Sequence, residues 1–323
     1  MYDYHMHSTV SFDARDTALD MALAAKERGL KEICFTDHLD YPPDANMAFD
    51  TAAYNAEYDH LEIPGLKIRR GMEFGMTVDN RAQFKEDLKR RPFDFVLGSI
   101  HFVDDLDVYF DEYWHDKTVF QAERRYLEET LACVQIHEDF DVLAHLTYLG
   151  KTTAHPAPRP IPMQDHRELI DEILKVLAAK GKGLELNTSG VDRAGVFLPG
   201  REFLQRFKEL GGEIVTVGSD AHRCNRVGQY SREACALLGE IFGMTDCRNV
   251  TANQLATTYA RKDSSGNYPD TDDQAEATFG HRLVTYNGET REIFFITVRG
   301  TNGTHEEWSS NFDLGSDTDN YYN

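Results

Sequence analysis

Apolar residues along this chain gather into seven short runs, at residues 2–5, 32–36, 67–73, 93–99, 141–144, 183–187 and 213–218. Each is too short for a helix and reads as a strand. Most are followed by a helical pattern. The stretch TALDMALAAKER, residues 17–28, is rich in Ala and Leu and runs into Gly29, a residue suited to ending a helix. Ile170, Ile173, Leu174 and Leu177 share one helical face ahead of Gly181, and 202–210 repeats the arrangement ahead of Gly211-Gly212. Strands alternating with helices of this length predict βαβ units and a parallel sheet. Seven units within about 240 residues are too many for a small open sheet and predict an α/β fold of the (β/α) barrel type.

From about residue 246 the rhythm stops. Asn, Thr, Asp and Gly take over, and acidic residues outnumber basic ones by 13 to 6 over 246–323. The expected division is therefore a barrel over 1–245 and a β-rich, partly disordered C-terminal appendage over 246–323. Its one clear element is a hairpin, with strands at 281–286 and 292–298 about the turn Asn287-Gly288. The segment 311–323 is polar enough to predict disorder.

Composition narrows the partners. The 323 residues carry 55 Asp and Glu against 34 Lys and Arg, a formal net charge of −21, and 41% are hydrophobic, enough for a sizeable core. So acidic a chain is not expected to bind nucleic acid or an anionic membrane surface. No apolar run approaches the roughly 18 residues of a membrane span, and Met1 leads into Tyr2-Asp3-Tyr4-His5 with no signal peptide. Five scattered cysteines, with no CxxC pair, fit reduced thiols in a cytoplasm better than a disulfide framework.

Histidine is the informative residue type. His5, His7, Asp13, Asp37, His38, Glu73, His101, His145, Asp220 and His222 all lie at, or in the loop just after, the C-terminal end of an expected strand. In a barrel those ends share one rim, so residues far apart in sequence converge there. An HxH pair or an Asp-His pair alone more often packs or sits at the surface. Recurrence at the same place in successive βα units is what points to a site. Six imidazoles and several carboxylates in one basin repel or stay unsatisfied without a cation, and Zn, Fe and Mn accept these donors. The other seven histidines lack this position.

HMHS, FTDH, the lone Glu73 in GMEFG, GSIH, DVLAH and GSDAH resemble the successive motifs of the polymerase and histidinol phosphatase (PHP) family, over roughly residues 1–240. LELNTSG and GSDAH-x5-G are most similar to its histidinol-phosphatase branch. The resemblance implies a distorted seven-stranded barrel with two or three divalent metals. It implies His5, His7, Glu73 and Asp220 around the first, Glu73, His101 and His145 around the second, and Asp13, His38 and His222 around the third. Asp13 stands where some relatives carry His. Asp37 is expected to orient a ligand instead of binding metal.

A basin of this kind, with no serine or cysteine nucleophile, suggests phosphomonoester hydrolysis by a metal-bridging hydroxide. Asp220 or His222 would protonate the leaving alkoxide. Arg193, and with it Arg223, Arg226 and Arg159, are the expected phosphate contacts, since the guanidinium fork binds two oxygens at once. The family match suggests L-histidinol phosphate as substrate. Another small phosphate, a nucleotide end or a non-catalytic metal-binding module are the alternatives. Metal identity, metal number and oligomeric state are not readable. In the tail, IFFITVRGTNGTHEEWSSNF (293–312) resembles an early strand and turn of class 3 lipases, with Thr301 at the oxyanion position. The nucleophile elbow GxSxG is missing, so acyl transfer is not expected and the tail reads as a fragment.

Overall fold

The computed structural model describes residues 1–41, 50–90, 93–152, 159–243, 277–286 and 289–298. The chain divides into two units, Met1–Thr251 and Ala252–Asn323. In the first, strands β1 (Tyr2–Met6), β2 (Glu32–Phe35), β3 (His38–Leu39), β4 (Lys67–Gly75), β5 (Phe95–Ser99), β8 (Val142–Leu143), β9 (Gly183–Asn187) and β10 (Val215–Gly218) form one parallel sheet. Two short strands, β6 (Phe102–Val103) and β7 (Leu106–Asp107), make a separate antiparallel pair. The helices are α1 (Ala18–Glu27), α2 (Thr51–Tyr58), α3 (Arg81–Arg90), α4 (Asp111–Trp114), α5 (Val119–Ile136), α6 (Arg167–Ala179), α7 (Val191–Ala194), α8 (Arg201–Glu209) and α9 (Ser231–Phe242).

The sheet runs β1-β2-β4-β5-β8-β9-β10 and all but closes into a seven-stranded barrel. Closure is made where the ends of β1 and β10 meet. Met6 bridges Ala221, His7 N–H donates to Ala221 O at 2.9 Å, and Asp220 N–H donates to His5 O at 2.7 Å. All seven expected runs are strands, with their ends trimmed or extended by up to two residues. β1, β2, β5 and β9 are buried at every position, which is why they read as short apolar runs without alternation.

β2 and β3 are one strand interrupted. Glu32–Phe35 pairs with Lys67–Arg70 of β4, and after a break at Thr36-Asp37 the same register resumes with His38 opposite Glu73. The break frees Asp37 for side-chain hydrogen bonds while keeping His38 beside Glu73.

The helices follow the sequence. Thr17 is the N-cap of α1, accepting from Asp20 N, and α6 buries Ile170, Ile173, Leu174 and Leu177. Gly29 and Gly181 adopt φ of +74° and +64°, the left-handed conformation that ends a helix at little cost for glycine. α5 was not singled out by sequence; Thr118 and Gln121 form a capping box at its start.

Cys34, Cys133 and Cys224 are free, but Cys235 is disulfide-bonded. The free thiols fit the expectation that there is no disulfide framework; the bond at Cys235 was not expected, because pairing depends on how closely Cβ atoms approach in the fold, which spacing does not report. No helix among the described residues is long and apolar enough to cross a membrane. The second unit contributes β11 (Ala277–Tyr286) and β12 (Glu289–Val298), antiparallel with Tyr286 opposite Glu289. This hairpin is longer than expected. Asn287-Gly288, Thr301 and 311–323 lie outside the described residues.

Leu174 is completely buried, whereas Leu19 on α1 is 49% exposed. Leu174→Ala is expected to lower stability by about 2–5 kcal/mol, and Leu19→Ala by no more than about 0.5 kcal/mol. Urea denaturation of the two variants checks this; equal losses would contradict the packing described.

Candidate metal centre

The C-terminal ends of the strands deliver the donors to one basin. His5 lies on β1 and His7 just beyond it, His38 opens β3, and Glu73 lies near the end of β4. His101, His145 and the pair Asp220 and His222 follow β5, β8 and β10. Asp220 takes a φ of +55°, a region a non-glycine residue rarely occupies.

Glu73 is the hub. Its Oε2 lies 3.2 Å from His5 Nε2, 3.6 Å from His7 Nε2 and 3.0 Å from His38 Nδ1. Its Oε1 lies 2.8 Å from His145 Nε2 and 3.3 Å from His101 Nε2, and accepts from Ser99 Oγ at 2.6 Å. Asp220 Oδ1 stands 3.5 Å from both His5 Nε2 and His7 Nε2. Donor atoms of His5, His7 and Glu73, of His5, His145 and Asp220, and of Glu73, His101 and His145 each fall within 4.8 Å of one another. The first two expected ligand sets are thus brought together. The third is shared differently: His38 and His222 group with His7, and His38 also groups with Asp40 and His101. Asp13 sits on the outer side, 3.1 Å from His222 Nε2 and 3.7 Å from His38 Nε2.

The far nitrogens fix which way these rings face. His5 Nδ1 is 2.7 Å from Glu185 Oε1, and His101 Nδ1 is 3.0 Å from Asp40 Oδ1. Carboxylates only accept, so in its neutral form each ring keeps its proton on Nδ1, and it is Nε2 that is bared to the basin when the ring gives up its second proton. His7 is set through a relay. Asp37 accepts from Ser8 N, from Ser11 Oγ at 2.7 Å and from Tyr58 Oη, and with that hydroxyl proton committed, Ser11 Oγ accepts from His7 Nδ1 at 3.1 Å. Asp37 therefore orients His7, through Ser11, and is in none of the donor groups.

His5 Nε2, His7 Nε2, His38 Nδ1 and Glu73 Oε2 are buried without a hydrogen-bond partner. Lone pairs of neutral imidazoles facing a carboxylate repel unless positive charge stands between them, so this donor set fits divalent cations. Burial would depress His5, but Glu185, Glu73 and Asp220 hold it well above the ordinary imidazole range. His38 is raised likewise against its burial, by Glu73 and Asp13, and His101, also against burial, is pushed up to about 10 by Asp40 and Glu73. His7 goes the other way, lowered by burial and by His222 and His38 beside it. Burial would raise Glu73 and Asp220, yet the imidazoles around Glu73, and Lys151 and His5 beside Asp220, keep both well below the usual carboxylate range.

Asp40, Glu185, Ser11 and Lys151 were missed by sequence. Glu185 carried a signal, a carboxylate within a wholly buried strand. It also accepts His145 N–H at 2.8 Å. Gly218 leaves room for it, since a Cβ there would meet Glu185 Oε1 at 2.1 Å and His5 Cβ at 2.3 Å. Of the arginines, Arg193 and Arg223 are exposed, Arg226 pairs with Asp192 Oδ2 at 2.5 Å, and Arg159 pairs with Glu123 Oε1 at 3.0 Å.

Residues 3–189, which carry all of this rim but Asp220 and His222, match a family model described as the PHP domain. The chain belongs to that family. Within it, the chain is 33% identical over 229 residues to a protein of Lactococcus lactis named histidinol-phosphatase, covering 69% of this chain and 85% of the relative. It is 31% identical over 242 residues to a probable histidinol-phosphatase of Clostridium acetobutylicum, covering 72% and 91%. Among solved structures, that of the L. lactis histidinol phosphate phosphatase, complexed with zinc, L-histidinol and phosphate, has a TM-score of 0.64 at 30% identity. The match covers 74% of this chain and 93% of that one.

Cation uptake should displace protons. His5, His38 and His101 are raised in the cation-free protein and so hold protons at neutral pH, and a cation needs the bare nitrogens. Zinc affinity is therefore expected to tighten as pH rises from about 6 to about 8, with protons released. Calorimetric titration in two buffers of different ionisation heat checks this; pH-independent binding without proton release would contradict it.

Proposed function

We propose that this chain is a metal-dependent phosphoric monoester hydrolase acting on L-histidinol phosphate, giving L-histidinol and phosphate. The observation that carries the proposal is the convergence of unpartnered imidazole nitrogens on Glu73 at the barrel rim. The histidinol-phosphatase relatives, and the zinc, L-histidinol and phosphate held by the L. lactis neighbour, support the same reading. Catalysis is assigned to residues 1–245, and 246–323 is assigned no part in it.

We assign two or three divalent ions, zinc, iron or manganese, to His5, His7, Glu73 and Asp220, to Glu73, His101 and His145, and to Asp13, His38 and His222. Bound there, such ions would supply a water of lowered pKa, hence the hydroxide nucleophile, and positive charge against the phosphoryl oxygens. The remaining work belongs to side chains. Glu73 reaches both of the first two ligand sets with its two oxygens and fixes their spacing. Asp40 and Glu185 keep His101 and His5 turned inward, and Ser11 does so for His7. Of the two candidates for returning a proton to the leaving alkoxide, Asp220 and His222, the role is assigned to His222, whose Nδ1 lies 3.6 Å from Asp220 Oδ1; Asp220, held ionised by Lys151 and His5, has no proton to give. Arg193 and Arg223 carry no ion pair among the described residues and are assigned to the phosphate ahead of Arg226 and Arg159, whose forks are engaged by carboxylates.

Phosphate release from L-histidinol phosphate and from a panel of other phosphomonoesters, before and after chelation, is the test. Turnover of L-histidinol phosphate that is lost with chelator and restored by zinc, iron or manganese is expected. Turnover of other esters alone would reassign the substrate, and no turnover of any ester after restoration would favour a non-catalytic metal-binding module. Glu73→Gln is expected to abolish both metal retention and turnover. Full activity in that variant, with metal intact, would remove Glu73 from the mechanism.

A further inference from the structure

Lys151 was given no role by the sequence, yet it places a cation against the basin. It ends a short turn of 3-10 helix, Tyr148–Lys151, that follows His145. Its Nζ lies 2.5 Å from Asp220 Oδ2 and 2.7 Å from Ser189 Oγ, and 5.0 Å above the Tyr148 ring. That ring packs 4.8 Å from His145. The Lys151 side chain is only 15% exposed, so its charge is poorly screened by water. Asp220 divides its oxygens between the two sides: Oδ1 faces His5 and His7, and Oδ2 takes Lys151.

An ammonium has three N–H donors, and two have partners among the described residues. Among the described residues the ammonium has no third hydrogen-bond partner, only the Tyr148 ring over which it lies, and through Asp220 it stands next to the donors assigned to the first metal position. We propose that Lys151 is a substrate-binding residue that donates its third hydrogen bond to the phosphoryl group, anchored for the purpose by Asp220 and Ser189. The proposal rests on the phosphatase reading above and deepens it. It makes the primary phosphate contact a largely buried lysine held against Asp220, in place of the exposed Arg193 and Arg223.

The test uses zinc-restored full-length protein, with inorganic phosphate as probe. Lys151→Met is expected to keep the wild-type zinc content and to weaken phosphate binding by about 10- to 100-fold, the range for losing a charged hydrogen bond. KM is expected to rise in parallel. Lys151→Arg, which keeps the charge, should recover most of the loss. If Lys151→Met does not fold, Lys151→Gln is read in the same way. Wild-type phosphate affinity in the neutral variant would overturn the proposal, and lower zinc content alongside it would make Lys151 a positioning residue for Asp220 only. Wild-type protein that binds phosphate but cleaves no phosphomonoester would overturn the phosphatase reading instead, while weakened phosphate binding in Lys151→Met would still support this assignment.

Discussion

One buried carboxylate, Glu73, sits inside a ring of imidazoles, and the rim is organised around that conflict. Its two oxygens lie within 3.6 Å of nitrogens from His5, His7, His38, His101 and His145. Where the far nitrogen of a neutral ring donates its proton to an accepting partner, the near one offers only a lone pair. Facing a carboxylate across about 3 Å of poorly solvated space, that arrangement is unfavourable until positive charge enters. The carboxylates beside His5, His38 and His101 push those rings toward holding a second proton, which is one source of such charge. A divalent cation supplies more charge at a fixed point, and it removes the protons in doing so. The residues behind the ligands, Glu185, Asp40 and the Asp37-Ser11 relay, decide which nitrogen faces inward, and with it whether the basin recruits a cation at all.

The fold meets this demand through register. The interruption between β2 and β3 turns Asp37 away from the strand without disturbing the pairing that sets His38 opposite Glu73. Closure works similarly at the other side, where His5 and His7 are tied by backbone hydrogen bonds to Asp220 and Ala221. A slip of one residue in either place would turn alternate side chains away from the basin. The crowding at Gly218, with Glu185 and His5 against it, shows how little slack remains at the seam between the first and last strands.

What could be read from sequence follows the same division. The strands and the ligands at their ends were legible because a buried parallel strand must be apolar and its C-terminal end is where a charged residue can escape the core, so His5, His38, Glu73, His101, His145 and Asp220 stand out against their neighbours. Asp40 was not legible, because it reaches His101 through tertiary folding, from 61 positions away in sequence. Ser11 is an ordinary loop serine until Asp37 and His7 close on it. Lys151 depends on a turn with no periodic signature. Asp13 was placed by resemblance, and in the structure it joins the cluster from outside, partly in solvent, through His222 and His38. The disulfide at Cys235 was invisible for the same reason as Asp40: contact, not spacing, makes it.

Charge bears on the phosphatase reading in a way composition alone does not decide. A chain of net charge −21 repels a phosphate ester at long range. Screening confines that repulsion to roughly 10 Å at about 0.1 M salt, so what the ester meets on arrival is the local charge of the rim. There the carboxylates are not spare: Glu73 and Asp220 face imidazoles on one side and, for Asp220, Lys151 on the other. With cations seated, the basin's sign is opposite to that of the chain as a whole. An acidic surface can then discourage long polyanions, which cover more than the rim, while admitting a small phosphate that touches only the basin. The same contrast would favour a substrate whose other end is cationic, since the chain's net negative charge would attract that end while the basin holds the phosphate.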